Sequence, residues 1–346
     1  MYLFITVDAE AVHGCSDPWN EFMWGRLPGI KGEYGVSLIA DICEHYGFKV
    51  TYFLDVYEHT YYGIDKVKEV AQYLENRGHD VQLHTHPAWY QDPRDNKSIQ
   101  KMKAERSCFP PTKYWMNLNT LEEQINILKH GKNLLEDWLG KSVLAHRAGA
   151  YAINLDTIKA LKETGFKLDS STHFCHPNCH LSLSINQAVY FNDILEIPIT
   201  GYFLERIWDG FIFKYKHPLK FVATDVNGST AEQIIHFADM ANSYDVKVIN
   251  LFMHSYSFVK YNHNFTKLSV DDNCIEKLHR ILKALTIKKC KSVTSQDLID
   301  IHRKKASDIT GEIWLDGAPR QQIEFNIYKL FLEKYLVNRR ISLSKQ

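Results

Sequence analysis

The sequence has no excess charge of either sign: Lys plus Arg and Asp plus Glu both total 41 of 346 residues. A chain so balanced carries no net field to draw it to nucleic acid or anionic lipid, and neither is expected as a partner. A long apolar run is also missing. No stretch approaches the ~18 consecutive apolar residues that span a bilayer, so no transmembrane segment is expected. Seven cysteines are an odd number scattered without a framework spacing. That argues against a disulfide scaffold and for free thiols in a reducing compartment. The opening residues Met1-Tyr2-Leu3-Phe4-Ile5-Thr6-Val7-Asp8 have no basic leader and meet a charge early. They read as a strand rather than a signal peptide, and the expected location is cytoplasmic. No linker and no internal repeat divides the chain.

What is present is the material of a large core. The hydrophobic fraction of 45% and charged fraction of 24% are those of a globular protein that buries a full interior. The aromatics are plentiful, with 19 Tyr, 18 Phe and 7 Trp. Most will fill the core, and those in a cleft suit stacking on sugar rings. Short apolar runs alternate with amphipathic stretches. Strands are expected over residues 2–7, 48–54, 80–83, 142–145, 166–168, 194–198 and 246–252, with a further short one over 291–294. Helices are expected over residues 36–46, 66–76, 121–140, 156–164, 231–243, 271–285 and 295–303, many of them stopped by a glycine. Residues 87–111 and 170–192 read as polar loops, 13–35 as an irregular loop, and 208–228 as ambiguous. A last amphipathic helix is expected over Ile323 to Leu336. Strand–helix alternation predicts an α/β fold, a parallel sheet curled into a closed or nearly closed barrel of about seven strands. The expected organisation is one catalytic domain over residues 1–305 and a C-terminal extension over 306–346. The last helix packs on the barrel or forms a homodimer contact.

Ionisable groups gather at the strand ends. His84-Thr85-His86 closes one strand, and alternation points both imidazoles the same way, so that they can share one cation. Asp8 and Glu10 end the first strand with the same spacing. Arg147, Asp169 and His254 follow other strands. In barrels of parallel strands chemistry sits at that end, and five separate strands deliver groups to it.

In order, these groups resemble the motifs of the polysaccharide deacetylases with a NodB-homology domain, carbohydrate esterase family four. Thr6-Val7-Asp8-Ala9-Glu10 matches the first motif, where the family keeps two adjacent aspartates and this chain has acid-x-acid. His84-Thr85-His86-Pro87 matches the second, in a compressed spacing. Arg147-Ala148-Gly149-Ala150-Tyr151 matches the third, Asp169 the fourth, and Leu251-Phe252-Met253-His254, with one extra residue, the fifth. The resemblance implies a distorted (β/α) barrel. It implies a divalent metal held by Glu10, His84 and His86, zinc in the first place, with cobalt, nickel or iron also suited to that donor set. It further implies Asp8 as base, with an exchange of roles between Asp8 and Glu10 open, and His254 as acid. Arg147 would orient Asp8, Asp169 would tune His254, and the backbone amide near Tyr151 would help hold an oxyanion. Both departures resemble a branch associated with bacterial surface-polysaccharide biosynthesis. The implied substrate is then a sugar nucleotide, a lipid-linked sugar or a nascent glycan.

Plainer readings stand beside these. Asp8 and Glu10 could cap a strand end, Arg147 could serve a structural ion pair, Asp169 could cap a turn, and His254 could be a satisfied core histidine. The run Cys175-His176-Pro177-Asn178-Cys179-His180 has ligand-like spacing, but no second Cys/His pair lies at finger-like distance. Two alternatives to a metal-dependent deacetylase remain at this level: a metal-free deacylase of small amides, and a catalytically degenerate relative that binds glycans.

Overall fold

The first strand, β1 (Tyr2–Ala9), sets the pattern of the molecule. Leu3, Ile5, Val7 and Ala9 join the large apolar core outside the sheet, whereas Phe4 belongs to a second core inside the curl. Thr6 and Asp8 follow Phe4 on that inner face, as period two requires. The lumen therefore changes along one strand from apolar to hydroxyl to acid. The computed structural model describes residues 1–11, 19–87, 90, 115–174, 176–181, 186–205, 207–209, 214–216, 220–241, 246–262, 265–303 and 324–326.

In chain order the next strands are β2 (Val50–Asp55), β3 (Asp80–Thr85), β4 (Ala145–Ala148), β5 (Leu168–Asp169), β6 (Val189–Phe191) and β7 (Ile194–Glu196). Then come β8 (Gly201–Glu205), β9 (Ile207–Asp209), β10 (Lys214–Lys216), β11 (Lys220–Ala223), β12 (Val248–His254), β13 (Val259–Tyr261), β14 (Leu268–Val270), β15 (Lys291–Ser292) and β16 (Glu324–Asn326). The main sheet runs β12-β1-β2-β3-β4-β5-β7-β6, with β15 also beside β1. All its pairings are parallel except β6 with β7. The principal helices are α1 (Val36–His45), α2 (His59–Tyr62), α3 (Ile64–Asn76), α4 (Leu121–Leu139), α5 (Leu155–Glu163), α6 (Ala231–Ala241), α7 (Asp272–Ile287) and α8 (Ser295–Arg303). The α4 helix opens on a capping box between Thr120 and Glu123 and ends at left-handed Gly140, which fixes both its ends. This is a distorted (β/α) barrel of mostly parallel strands.

The distortion has a specific location. Among the described residues no ladder joins β7 to β12. Thr200 and Thr224 fill the gap with their hydroxyls, Thr224 Oγ1 donating to Asn250 O at 2.7 Å and Thr200 Oγ1 accepting from Asn250 N at 3.1 Å. The chain at Thr224 also pairs with β12, Phe252 N donating to Thr224 O at 3.0 Å. At the opposite end of the lumen, Leu298 and Ile299 of α8 join Phe4, Phe53, Leu168 and Leu195. Buried Asp80 ties this plug to the sheet. Its carboxylate accepts from Thr51 Oγ1 at 2.9 Å, Gln82 Nε2 at 2.6 Å, and Ser295 N and Oγ at 3.0 and 2.5 Å.

Most strands begin a few residues later than their apolar runs, because the runs include the approach to the sheet. β4 covers Ala145–Ala148 rather than 142–145. The region read as an irregular loop contains a π-helical turn, Asn20–Trp24. The ambiguous region forms β9, β10 and β11. The expected helix over 323–336 is corrected at its start: Glu324–Asn326 is a strand paired in parallel with β8. The rest of that stretch, most of 306–346 and most of 87–111 lie outside the described residues.

Asp80 gives a test of the plug. Replacing Asp80 with Ala should cost about 3 kcal/mol, because it strands several buried donors at once. Chemical denaturation measures this. A loss below about 1 kcal/mol would mean that apolar contacts alone seat α8.

Candidate active site

The lumenal groups of β1, β3, β4 and β12 meet at the C-terminal mouth of the barrel. Glu10 Oε2 lies 2.7 Å from His86 Nε2 and 3.3 Å from His84 Nε2. Glu10, His84 and His86 offer one ligand atom each within 4.8 Å of one another, and all three residues are buried. Among the described residues no other group of three does so. His84 Nδ1 lies 3.0 Å from Arg147 O. That carbonyl can only accept, so Nδ1 carries a proton and Nε2 is the nitrogen turned toward Glu10 and His86, the one a cation would take in exchange for its proton. His84 Nε2 is buried without an aligned hydrogen-bond partner, as a nitrogen kept for a cation would be. The donor set fits a divalent metal of the kind that takes imidazole and carboxylate.

Asp8 is occupied differently. Its Oδ1 accepts from Arg147 Nη1 at 2.8 Å, and its Oδ2 stands 4.0 Å from His84 Nε2. Arg147 is fully buried. It also donates from Nε to Ser170 O at 2.8 Å and from Nη2 to Ser170 Oγ at 2.9 Å. Its guanidinium lies over the Phe53 ring, 4.4 Å from the centroid. On the open side His254 Nε2 is 3.8 Å from Glu10 Oε1, with its side chain 28% exposed. Its ring stacks on Tyr256 at 4.9 Å.

Three residues that sequence reasoning missed hold this arrangement. Gly149 allows His86 its place: a Cβ there would stand 2.2 Å from His86 Cε1. Ser255 clamps the chain of Glu10, donating from Oγ to Glu10 O at 2.7 Å and accepting from Glu10 N at 3.3 Å. Asp225, bridged to Phe252 beside β12, is the acid whose charge couples to His254. Burial raises its pKa, and His254 pulls it back. The only signal for Asp225 was a turn pattern, Asp225-Val226-Asn227-Gly228, in which Asn227 N donates to Asp225 Oδ1 at 2.8 Å.

Asp169 does not face His254, and that expectation is corrected. Leu168 points into the lumen, so Asp169 points out, where Oδ1 lies 2.7 Å from His146 Nδ1. Tyr151 does stand by the site. Its ring is 6.0 Å from Phe252 and packs against His173 and His176 at 4.7 and 5.1 Å. Ala150 and Tyr151 both have left-handed backbone, φ 49° and 55°, a strain that non-glycine residues carry mostly at functional sites. In the Cys175–His180 run, Cys175 lies outside the described residues. His176 packs on Tyr151, and the Cys179 thiol donates to Leu181 O at 3.6 Å.

No family model matches the sequence, and no curated protein matches it. Solved structures do. A candidate polysaccharide deacetylase from Mycobacterium smegmatis aligns over 88% of this chain and 91% of its own, with 16% identity and a TM-score of 0.51. The chain has the polysaccharide deacetylase fold. Two proteins align more loosely. A family 4 carbohydrate esterase from Streptomyces lividans, in complex with acetate, shares 10% identity over 84% of this chain and 91% of its own, TM-score 0.40. A pseudoenzyme of that family from Bacillus anthracis shares 11% identity over 86% of this chain and 65% of its own, TM-score 0.43.

Two outcomes are expected of this site. Replacing Gly149 with Ala should displace His86 and weaken divalent-metal binding at least about tenfold, measured by competition with a chelator. An unchanged affinity would show that His86 is not a ligand. The second concerns pH. Burial opposes a charged His84, but the carboxylates of Asp8 and Glu10 outweigh it and raise its pKa to about 9 in the metal-free protein. That shift stabilises the metal-free fold below about pH 6.5, and the contribution fades as pH rises through about 9. A metal must displace the proton, so its affinity should rise about tenfold per pH unit from about pH 6 to pH 8. A flat profile would remove His84 from the ligand set.

Proposed function

We propose that this protein is a metal-dependent hydrolase that removes an N-acyl group, acetyl in the first instance, from an amino sugar or a related carbohydrate. The observation that carries the reading is a division of labour at one barrel mouth. A carboxylate and two imidazoles converge on one point, a second carboxylate is fixed beside them by a buried arginine, and a partly exposed histidine stands opposite.

Glu10, His84 and His86 would hold the metal, with zinc the first candidate and cobalt, nickel or iron compatible with the same donors. Bound there, a divalent cation supplies a Lewis acid for the acyl carbonyl and makes water more acidic. Asp8 keeps one oxygen on Arg147, which leaves Oδ2 to accept the proton of the attacking water. The water oxygen bonds to the acyl carbon, the C–N bond breaks, and the departing nitrogen takes a proton from His254. A backbone amide near Tyr151 would help to receive the carbonyl oxygen.

Aromatic rings stand around the site: Trp115 lies 6.0 Å from His86, Tyr256 stacks on His254, and Tyr151 lies 6.0 Å from Phe252. Such faces suit a sugar ring. The proposal extends to surface-polysaccharide biosynthesis in the cytoplasm, with a sugar nucleotide, lipid-linked sugar or nascent glycan as substrate, on the strength of the motif resemblance. The free thiols of Cys43, Cys179, Cys274 and Cys290 are in keeping with a reducing compartment. No helix of the described residues is long and apolar enough to cross a membrane.

The deciding experiment is acetate release from a panel of N-acetylated sugar nucleotides and glycans, after metal analysis of the purified protein. Asp8→Asn and His254→Ala should each lower kcat by about 100-fold or more, with metal content kept in the His254 variant. Full activity after chelation would sink the reading, and so would full activity of the Asp8 variant.

A further inference from the structure

A polar line crosses the sheet on the face away from the lumen. Thr85 Oγ1 lies 2.9 Å from His146 Nε2, and His146 Nδ1 lies 2.7 Å from Asp169 Oδ1. Asp169 and Glu196 are neighbours in register on β5 and β7. Behind them Ser171 Oγ donates to Asp169 Oδ1 at 2.9 Å and accepts from Ala148 N at 2.8 Å. Glu196 Oε1 accepts from Thr172 N at 2.8 Å. Thr85, His146, Asp169 and Glu196 are all 0% exposed, so no substrate or solvent reaches them.

The protonation pattern follows from the partners. A carboxylate can only accept, so His146 Nδ1 carries the hydrogen and Nε2 accepts from the Thr85 hydroxyl. Burial lowers the His146 pKa to about 3, and the ring is neutral. Burial and the adjacent Asp169 push Glu196 well above the usual carboxylate range, so it stays protonated and donates to Asp169. The line is thus hydroxyl, neutral imidazole, carboxylate, carboxylic acid, each satisfied by the next. Fully satisfied buried networks of this kind are rigid, and partly satisfied ones are costly.

Each member is the chain neighbour of a lumenal group. Thr85 separates His84 from His86. His146 precedes Arg147. Asp169 precedes Ser170, which receives Arg147. Glu196 precedes Ile197, whose carbonyl accepts from Ser170 Oγ at 2.8 Å. Because adjacent strand residues face opposite ways, fixing the outer side chain fixes the rotation of the strand and the aim of the inner one. Resting on the metal-site reading above, we propose that His146 is a positioning residue: through Thr85 and Asp169 it sets the angle at which β3 presents His84 and His86 to a metal and β4 presents Arg147 to Asp8. Asp169 then serves the metal-binding histidines from behind the sheet.

The test uses Thr85→Val, which keeps the shape and removes the hydroxyl, with Thr85→Ser as the rescue and His146→Gln as the stronger lesion. Zinc affinity by chelator competition, the visible spectrum of the cobalt-loaded protein, and the thermal midpoint of the metal-free protein are measured together. Thr85→Val should weaken zinc about tenfold and shift the cobalt spectrum while the metal-free protein still melts cooperatively. Thr85→Ser should restore both readings. His146→Gln should weaken zinc further. Wild-type affinity and an unchanged cobalt spectrum in Thr85→Val would overturn the inference while leaving the metal site standing. A wild-type protein that binds neither zinc nor cobalt would overturn the metal-site reading itself, and this inference with it.

Discussion

The buried guanidinium of Arg147 is the constraint on which the site depends. Its side chain touches β1 through Asp8, β2 through the Phe53 ring and β12 through the Phe252 ring, and donates twice to Ser170 just after β5. Its own carbonyl receives the His84 imidazole of β3. A fully buried cation is costly unless every donor and its charge are answered. The answer here fixes which oxygen of Asp8 stays available, and where. Removing either partner would leave an uncompensated charge in the lumen, so the pair also holds strands together across the barrel.

How much of this could be read from residues depends on the range of the interactions. Period-two alternation and the position of polar groups at strand ends are local, and they sufficed for the fold class and for bringing Asp8, Glu10, His84, His86, Arg147 and His254 to one end of the barrel. Asp169 failed for a local reason too: Leu168 occupies the inward position, so its neighbour must point out, and a two-residue strand gives too little pattern to see that. Asp225 was hidden because it belongs to no long strand. It enters the barrel where Thr200 and Thr224 replace a ladder with side-chain hydrogen bonds, a closure that leaves no apolar periodicity. Gly149 and Ser255 act through contacts with segments tens or hundreds of residues away, and nothing in their own neighbourhood marks them.

The two faces of the sheet are read together by the chemistry. The lumen holds the charged groups, the outer face holds the polar line from Thr85 to Glu196, and each strand residue of one alternates with a residue of the other. A buried polar residue on the outer face could have been replaced by an apolar one at little cost to the core, since Leu83 and Phe166 already pack there. Its persistence on four adjacent strands makes sense if the orientation of the lumenal side chains is what it secures.

The acid-x-acid spacing at the end of β1 follows from the same geometry. Regular strand continues through Ala9, and Ala9 is fully buried in the outer core. An acid at that position would face apolar packing, not the histidines. The next inward position is residue 10, and two methylenes carry the Glu10 carboxylate to both imidazoles. Ser255 holds the Glu10 backbone on one side, and Glu58 Oε1 accepts from Ala11 N at 2.7 Å on the other. Asp8, shorter and bound to Arg147, cannot leave its partner to take the ligand's place without stranding a buried charge. On the proposed reading, this geometry suits Glu10 as the ligand and Asp8 as the base. Ala9 is the outward residue that lets the two acids share a face.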